Sequence, residues 1–265
     1  MSAPTTTSIA TATADDVFIR GKSLCRELIG RVTFTEMLFF QILGRPPTPA
    51  QTRVVDACLV TLMEHGLTPS AVAARLVYGS AAEAMQGAVA AGLLAVGSLF
   101  VGTTEECGRH LSRIIAAVSA KGASGSAAEA ARDGEARAIA DEHRRARKPV
   151  AGFGHPQHRP DDPRSPVLLA LARAEGVAGA HVDAVEALGR AVDAASGRHI
   201  TLNATGAIAA LLGDCGVPAS ILRGFALIAR AAGLVGHIHE EQQRPTLRTL
   251  WESAEQAVPY DGTTT

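Results

Sequence analysis

The sequence lacks an excess of charge of either sign. Lys and Arg together number 25 and Asp and Glu number 26 in 265 residues, which leaves a formal net charge of −1. Proteins that bind DNA, RNA or another polyanion usually carry a strongly basic surface, and this balance gives no sign of one. We therefore expect small-molecule partners and no nucleic acid.

Cysteine is scarce, and the sequence contains no cysteine motif. None of the cysteines belongs to a CxxC pair or has a His or Cys at metal-ligand spacing; the four are Cys25, Cys58, Cys107 and Cys215. Because no group of His, Asp and Glu has ligand spacing either, the sequence predicts no metal. We expect the cysteines to be small buried hydrophobic residues of a protein in the reducing cytoplasm.

Long hydrophobic runs are missing as well. Residues 1–16 are rich in Ser, Thr and Ala and lack the basic and apolar regions of a secretory signal, so we predict a disordered tail. The most apolar window, Ala88–Gly102, is shorter than the roughly 20 residues that a membrane helix needs. We interpret this window as a buried helix with its C-terminal turn, and we expect no membrane association.

Aromatic residues make up only 4% of the chain, and runs of β-branched residues are scarce. Ala, Leu, Arg and Glu dominate most windows, so we predict an all-α fold. Two helices can be placed from their caps. Thr33–Gly44 begins with Thr and ends at Gly, and Thr48–Gly66 begins with Thr-Pro and ends at His-Gly.

The composition changes in the middle of the chain. Residues 121–149 are polar and rich in charge, whereas the chain from Asn203 onward is strongly apolar again. We predict a large helical domain built from residues 17–102 and 206–265. A smaller helical domain, residues 103–205, is inserted between these two parts.

One loop, GFGHPQHRPDDPR at Gly152–Arg164, concentrates residues that are useful for chemistry. Its glycines permit close backbone approach, and its prolines make it stiff. Free N–H groups around Gly154 can receive a phosphate or a carboxylate, and Arg159 and Arg164 offer planar guanidinium groups to anions. His155 can exchange a proton near neutral pH.

A purely structural interpretation of the same loop is open at this point. Asp161 and Asp162 can pair with the arginines and make the loop a charged turn between domains. The local sequence does not favour either interpretation.

The segment Ile221–Pro245 predicts a long helix with polar residues on an apolar face. Arg230, His237 and Glu241 are seven and four residues apart, which places them on one face at 3.6 residues per turn. Arg230 is therefore expected to point into a pocket or an interface. The alternative is a buried ion pair between Arg230 and Glu241 or another acid.

A third segment, His199–Gly216, predicts a capped core helix. Asn203 and Thr205 stand at its N-terminus, and apolar residues follow on one side. Its functional meaning comes only from its combination with the other two segments.

Together these segments resemble a known family. GFGHPQHRPDDPR, LNATGAIAALLGDCG and FALIARAAGLVGHIHEE followed by RP are similar to the C-terminal half of the citrate synthase superfamily. Within it, stand-alone citryl-CoA lyases and the C-terminal module of ATP-citrate lyase are the most similar. Upstream segments fall in the same order, so the resemblance extends from about Val17 to Trp251.

The resemblance implies a citrate synthase-like fold, in which a large helical domain carries a smaller inserted one, and a homodimer or higher homo-oligomer. It implies a cleft that closes over a coenzyme A thioester, with an acyl-CoA and a carboxylate as small-molecule partners. The reaction implied is cleavage of citryl-CoA, or of a close 3-hydroxyacyl-CoA relative, to acetyl-CoA and a 2-oxo acid such as oxaloacetate.

The resemblance also implies residue roles. His155 takes the place of the histidine that exchanges a proton with the oxygen on the carbon that is attacked or released. Arg164 and Arg230 match arginines that hold the substrate carboxylates, for which bidentate binding suits them. His237 matches a histidine of the same helix, and Arg244 lies where a basic residue approaches the cleft or its dimer mate.

Other candidate positions follow from the same comparison. His65 is retained as a candidate catalytic residue, and Asn203 is expected at the substrate. Phe100 stands where citrate synthases have histidine and ATP-citrate lyase has phenylalanine, which favours a lyase. Coenzyme A is expected to contact Phe153, Gly154 and Arg159.

One departure from the family pattern keeps two other functions open. The family's acidic base aligns with Thr205, and a hydroxyl cannot act as a carboxylate base near neutral pH. Thr205 remains a candidate catalytic position. The alternatives are a citrate synthase-like condensing enzyme and a catalytically silent relative that binds CoA in a regulatory or interaction role.

Overall fold

The computed structural model describes residues 5–97 and 102–262, and helices dominate this part of the chain. The predicted all-α class is confirmed. The helices are α1 Phe34–Leu43, α2 Pro49–Met63, α3 Pro69–Ser80, α4 Met85–Leu94, α5 Gly102–Ala120, α6 Gly125–Arg145, α7 Arg164–Ala174, α8 Ala180–Ser196, α9 Ala204–Asp214, α10 Leu222–Gln243 and α11 Leu247–Ala257.

The threonine caps that predicted the first two helices are present. Thr33 forms a capping box with Glu36 at the start of α1, and Thr48 forms one with Gln51 at the start of α2. The end of α2 differs from the prediction, because Glu64 already has extended backbone angles. The residues after Met63 therefore leave the helix and are free to reach other segments.

The prediction of a disordered tail over residues 1–16 is wrong for its second half. Ala10–Ala12 (β1) pairs antiparallel with Val17–Ile19 (β2), which pairs with Lys22–Ser23 (β3). The buried carboxylate of Asp16 accepts hydrogen bonds from the Ser23 hydroxyl at 2.5 Å and from the Val17 N–H at 2.8 Å. These bonds hold the small sheet in place.

Helix α9 lies at the centre of the molecule. All but two of its residues, Thr205 and Asp214, are buried, and it packs against α2, α5, α7 and α8. One hydrophobic cluster therefore joins residues of both predicted domains, among them Phe39, Leu111, Leu188, Leu211 and Phe225. The division into domains at residues 103 and 205 stays a prediction.

One helical segment among the described residues, Ala219–Gln243, is long and apolar enough to cross a membrane by length and composition. It comprises a short 3-10 turn and α10, which packs against α2, α3 and α4. It also buries Arg230 and Glu241. This pattern is typical of the core helix of a globular protein.

All four cysteines are free thiols, and three of them are buried as predicted. Burial raises the pKa of Cys107 and of Cys215 to about 12, so both stay protonated and act as small apolar groups. The prediction is wrong for Cys25, which is exposed. It lies in a single π-helical turn, Leu24–Leu28, in which only Leu28 is buried.

Candidate active site

The loop of residues 152–164 is held against the start of α9 by two glycines. Gly152 has φ +88°, and a Cβ there would lie 2.9 Å from the Cα of Gly206 and 2.7 Å from the sulfur of Cys107. A Cβ on Gly206 would lie 2.5 Å from the carbonyl oxygen of Gly152. Both positions need glycine for the two backbones to come this close.

Asn203, the N-cap of α9, fixes this loop from the other side. Its Oδ1 accepts hydrogen bonds from the Gly206 N–H and from the Thr205 hydroxyl, whereas its Nδ2 donates to the Gly154 carbonyl at 2.8 Å. Asn203 was predicted at the substrate, and the structure shows it as the residue that ties the helix cap to the backbone next to His155.

The imidazole of His155 is half-buried and has a defined tautomer. Its Nδ1 accepts hydrogen bonds from the backbone N–H groups of Gln157 at 3.1 Å and His158 at 3.0 Å. In the neutral ring the proton therefore resides on Nε2, which becomes a hydrogen-bond donor. The neutral ring in this tautomer can donate a proton at Nε2 but cannot accept one there.

His65 and His158 stand beside His155, and we call these three residues the histidine cluster. The Nε2 atoms of His65 and His158 are 3.3 Å apart, and the His155 ring stacks on the His158 ring with centroids 4.3 Å apart. Burial, followed by nearby positive charge, lowers the pKa of both His65 and His155. Both rings are therefore neutral near pH 7.

This cluster also corrects the reasoning that excluded a metal. One nitrogen from each ring lies within 4.8 Å of the others, although His65 is 93 residues from His158 in the sequence. Among the described residues, Glu106, His110 and His143 form another such group. Sequence spacing therefore did not test whether ligands meet in space.

Arg164 is held by the fully buried Asp162. Its guanidinium donates two hydrogen bonds to the carboxylate, at 2.9 and 2.7 Å, which leaves Nη1 for other partners. Burial raises the pKa of Asp162, but bonds from Arg164 and from the Ala204 N–H outweigh burial and lower it to about 2. The structural interpretation of the loop is thus correct for Asp162, whereas Asp161 bonds to His199.

Arg230 is buried, and its neighbouring acid is Glu64. Its Nη1 lies 3.6 Å from Glu64 Oε1 and has no hydrogen-bond partner among the described residues. Burial lowers the pKa of Arg230, and the charge of Glu64 opposes this effect. The alternative of an ion pair is therefore correct for another acid, Glu64, and wrong for Glu241, which bonds to Arg75 and Thr246 instead.

His237 lies between Arg75 and Glu64. Its Nδ1 accepts a hydrogen bond from Arg75 Nε at 2.9 Å, and its Nε2 lies 2.9 Å from Glu64 Oε2. Arg75 also pairs with Glu240 and Glu241. We call this group the ion network; its members are Glu64, Arg75, Arg230, His237, Glu240 and Glu241.

A cavity of about 350 Å³ opens beside the ion network. The predicted residues His237 and Arg244 both line it, together with the loop that follows His65. Its other lining residues are Gly66, Leu67, Arg75, Glu240 and Thr246.

Three residues were predicted to contact coenzyme A. In two of them, the side chain or the backbone N–H is already occupied within the protein. Phe153 is buried, and its ring faces Gly189 of α8, so its side chain belongs to the core. The N–H of Gly154 is not free, since it donates to the Thr201 carbonyl at 2.7 Å. Arg159 is exposed, where it can reach an anion.

Two predicted positions remain. The Thr205 hydroxyl is half-buried, donates to Asn203 Oδ1 at 2.7 Å and lies 3.1 Å from the Thr103 hydroxyl. Phe100 lies outside the described residues.

Glu64, Arg75 and His158 were not among the residues predicted from the sequence. Glu64 and His65 are adjacent in the extended segment after α2, and they contact the ion network and the histidine cluster respectively. An acid next to a candidate catalytic histidine was the available signal for Glu64. Arg75 carried no signal, since its partners lie 162 to 166 residues away.

Comparisons with known proteins show the family of the chain. The chain matches the family model for the citrate synthase C-terminal domain over residues 21–250. A curated relative, the putative citrate synthase 2 of Mycobacterium tuberculosis, is 29% identical over 203 residues, which are 74% of this chain and 49% of that protein. The chain thus spans about half the length of the curated relatives it matches.

Two solved structures are also similar. Citryl-CoA lyase from Hydrogenobacter thermophilus is 30% identical, with a TM-score of 0.83 over 98% of this chain and 95% of that chain. ATP citrate lyase from Methanothrix soehngenii in complex with citrate and coenzyme A is 19% identical, with a TM-score of 0.73 over 100% of this chain and 43% of that chain; this likeness is one of fold. Because the family match covers most of its length, this chain belongs to the citrate synthase family.

Proposed function

We propose that the protein is a CoA-thioester carbon–carbon lyase, which cleaves citryl-CoA or a close 3-hydroxyacyl-CoA relative to acetyl-CoA and a 2-oxo acid such as oxaloacetate. The observation that carries this proposal is the 30% identity to a citryl-CoA lyase over nearly the full length of both chains. The histidine cluster and two arginines of suitable chemistry support it.

The proposed reaction breaks the bond between the carbon that bears the hydroxyl and the carbon next to the thioester. The hydroxyl loses its proton and becomes a carbonyl, and the electron pair of the broken bond moves onto the acetyl-CoA fragment as an enolate. Protonation at carbon then gives acetyl-CoA.

The tautomer of His155 suggests how the cluster divides this work. The Nε2–H of His155 can donate to an oxygen on which negative charge develops, and in a half-buried site such a bond is strong. An unprotonated nitrogen of the neutral His65 ring, whose Nε2 lies 3.3 Å from His158 Nε2, is then the candidate for taking the hydroxyl proton. No step in this scheme needs a metal ion.

Two cations are suited to the carboxylates of the substrate. Arg164 is oriented by Asp162 and keeps Nη1 available, and Arg230 has a buried Nη1 without a hydrogen-bond partner among the described residues. A buried guanidinium group with spare donors favours an anionic ligand, since pairing recovers the cost of its desolvation. Arg159, exposed on the same loop, is proposed to bind a phosphate of coenzyme A.

We also propose a homodimer or higher homo-oligomer in the cytoplasm. Helix α11 has no buried residue, and the Trp251 side chain on it is largely exposed, which suits an interface between subunits. The four free thiols suit a reducing compartment. Light scattering on the purified protein tests the mass directly.

The hydroxyl at Thr205 favours a second candidate, a relative that binds CoA without catalysis. A threonine offers no carboxylate base. Its hydroxyl is also occupied, because it donates to Asn203 and lies within hydrogen-bond distance of Thr103. A condensing enzyme is the third candidate, and Thr205→Asp tests whether a restored carboxylate allows condensation.

The experiment that separates these candidates measures acetyl-CoA release from citryl-CoA and from a panel of 3-hydroxyacyl-CoAs, together with citrate formation from acetyl-CoA and oxaloacetate. A lyase releases acetyl-CoA from at least one thioester. Release from none of them, combined with a higher melting temperature in the presence of CoA, contradicts the lyase and supports the binding protein.

A further inference from the structure

A second cluster of metal-ligating side chains lies apart from the histidine cluster, between α5 and the C-terminal end of α6. It consists of Glu106, His110 and His143, each of which offers one ligand atom within 4.8 Å of the other two. Glu106 and His110 are four residues apart on α5 and therefore share one face of that helix. None of these residues has a part in the proposed reaction.

The hydrogen bonds of the two imidazoles leave nitrogen atoms available. His143 Nδ1 lies 2.9 Å from the Pro149 carbonyl oxygen, which can only accept, so the ring proton resides on Nδ1 and the Nε2 lone pair is free. A bond from the second ring nitrogen to a backbone carbonyl is the usual way in which proteins orient a metal-binding histidine.

His110 supplies a buried nitrogen that the protein leaves unsatisfied. Its Nε2 has no hydrogen-bond partner among the described residues, although this atom is shielded from solvent. The His110 and His143 rings are 5.0 Å apart and nearly perpendicular. A buried polar atom normally has a partner, and a metal ion is one.

The charges around the cluster also permit a cation. Glu106 is exposed and forms no ion pair among the described residues, so its charge is available to a metal. The neighbouring cation Arg113 is already paired with Glu135 and Glu142. A metal bound here would therefore meet one free carboxylate and two imidazoles.

We propose that Glu106, His110 and His143 bind a divalent transition-metal ion, with Zn²⁺ as the best match to two imidazoles and a carboxylate. Zn–N bonds of about 2.0–2.1 Å place ligand atoms roughly 3.3 Å apart in a tetrahedron, so small side-chain rotations close the site around the ion. Water completes the coordination. The role is structural, since the ion joins α5 to α6 and, through His143, to the Pro149 backbone that leads into the loop of His155.

Cobalt(II) is the probe for this site, because its visible absorption reports tetrahedral coordination by nitrogen and oxygen. The wild-type protein is expected to give this absorption and to lose it when Zn²⁺ is added. His110→Ala should abolish it, and the isosteric Glu106→Gln should weaken binding by at least about tenfold. His239→Ala, which removes an exposed histidine of α10, is the matched control and should bind as the wild type does.

Thermal unfolding provides a second readout, which does not depend on activity. Zn²⁺ should raise the melting temperature of the wild-type protein and of His65→Ala, but not that of His110→Ala. Glu106→Gln changes an exposed side chain and is expected to fold normally, so it still tests the site if His110→Ala misfolds. The proposal is overturned by any of three results: the wild-type protein gives no cobalt absorption, the absorption persists in His110→Ala, or it disappears in His65→Ala.

Discussion

The histidine cluster and the ion network meet at two adjacent residues, since His65 belongs to the cluster and Glu64 to the network. The two groups differ in how far their polar atoms are occupied by one another. The cluster contains imidazole rings with few hydrogen bonds to each other, and the pKa of two of them, His65 and His155, is lowered by burial. The network contains charged groups that are largely occupied by one another. Groups that satisfy each other hold the fold together, whereas groups with spare capacity are available to a substrate.

Arg230 is an exception within the ion network. It belongs to the network by its contact with Glu64, yet its Nη1 has no hydrogen-bond partner among the described residues. We therefore expect substitutions in the cluster to affect turnover, substitutions in the rest of the network to affect stability, and Arg230 to affect both.

The largest effect is expected from His155→Asn. The Asn side chain can still accept the N–H bonds of Gln157 and His158, but it lacks the Nε2–H that we propose as the donor to the substrate. Turnover should fall by about 10²–10⁴-fold, whereas the free energy of unfolding should change little. Steady-state kinetics and urea unfolding on the same preparation measure both quantities.

His239→Ala serves as the control for this prediction, because that histidine is exposed on α10. If His155→Asn turns over substrate nearly as fast as the wild type, His155 has no catalytic role. The histidine cluster and the ion network would then not differ in function as we expect.

The next effect is expected from Arg75→Met. The Arg75 side chain is only 3% exposed, and its loss leaves the equally buried Glu241 without its cation. Breaking a buried pair in this way should lower the free energy of unfolding by about 3–5 kcal/mol. Urea unfolding measures the loss.

The matched control is Arg248→Met, which breaks an exposed pair with Glu252 and should cost less than about 1 kcal/mol. If both substitutions cost the same, the network is not what stabilises α10 against α3.

A smaller effect is expected from the charge of Asp162, which joins the loop to α9. Its pKa is lowered from 3.8 to about 2 in the folded protein, so its ionised form contributes about 2 kcal/mol of stability above pH 4. This contribution is lost as the pH falls from about 4 toward 2. Urea unfolding of the wild type and of Asp162→Asn should therefore differ at pH 7 and converge on acidification.

A difference between these two proteins that stays constant down to pH 3 would contradict an ionised Asp162. It would mean that the carboxylate is not what orients Arg164.

The smallest effect on stability is expected from Asn203→Asp. Asp keeps the cap of α9 but loses the N–H donor to Gly154, so stability should change by about 1 kcal/mol or less while turnover falls. Asn203→Ala removes the cap as well and should cost about 1 kcal/mol more. Equal turnover in Asn203→Asp and the wild type would show that Gly154 needs no support from this side chain.

Local signals predicted the parts of this fold that local interactions determine. The Thr33 and Thr48 caps lie within three residues of the groups they bond, so the starts of α1 and α2 were predictable. The end of α2 was not, because Glu64 and His65 leave the helix for partners far along the chain.

The candidate site shows the same limit. His155 and Arg164 were identified from one loop, but His65 is 93 residues from His158, and no spacing rule brings them together. The N–H of Gly154 looked free because its acceptor, Thr201, is distant in sequence. Whether a polar group is spare or occupied depends on such long-range contacts, and this is what the structure adds.

The contact between Gly152 and Gly206 has a consequence for redesign. Any attempt to graft the histidine-bearing loop onto another helical scaffold must transfer the first turn of α9 with it, since a methyl group at either position would collide with the opposite backbone or with Cys107. The two segments form a single transplantable unit, although more than fifty positions of sequence separate them.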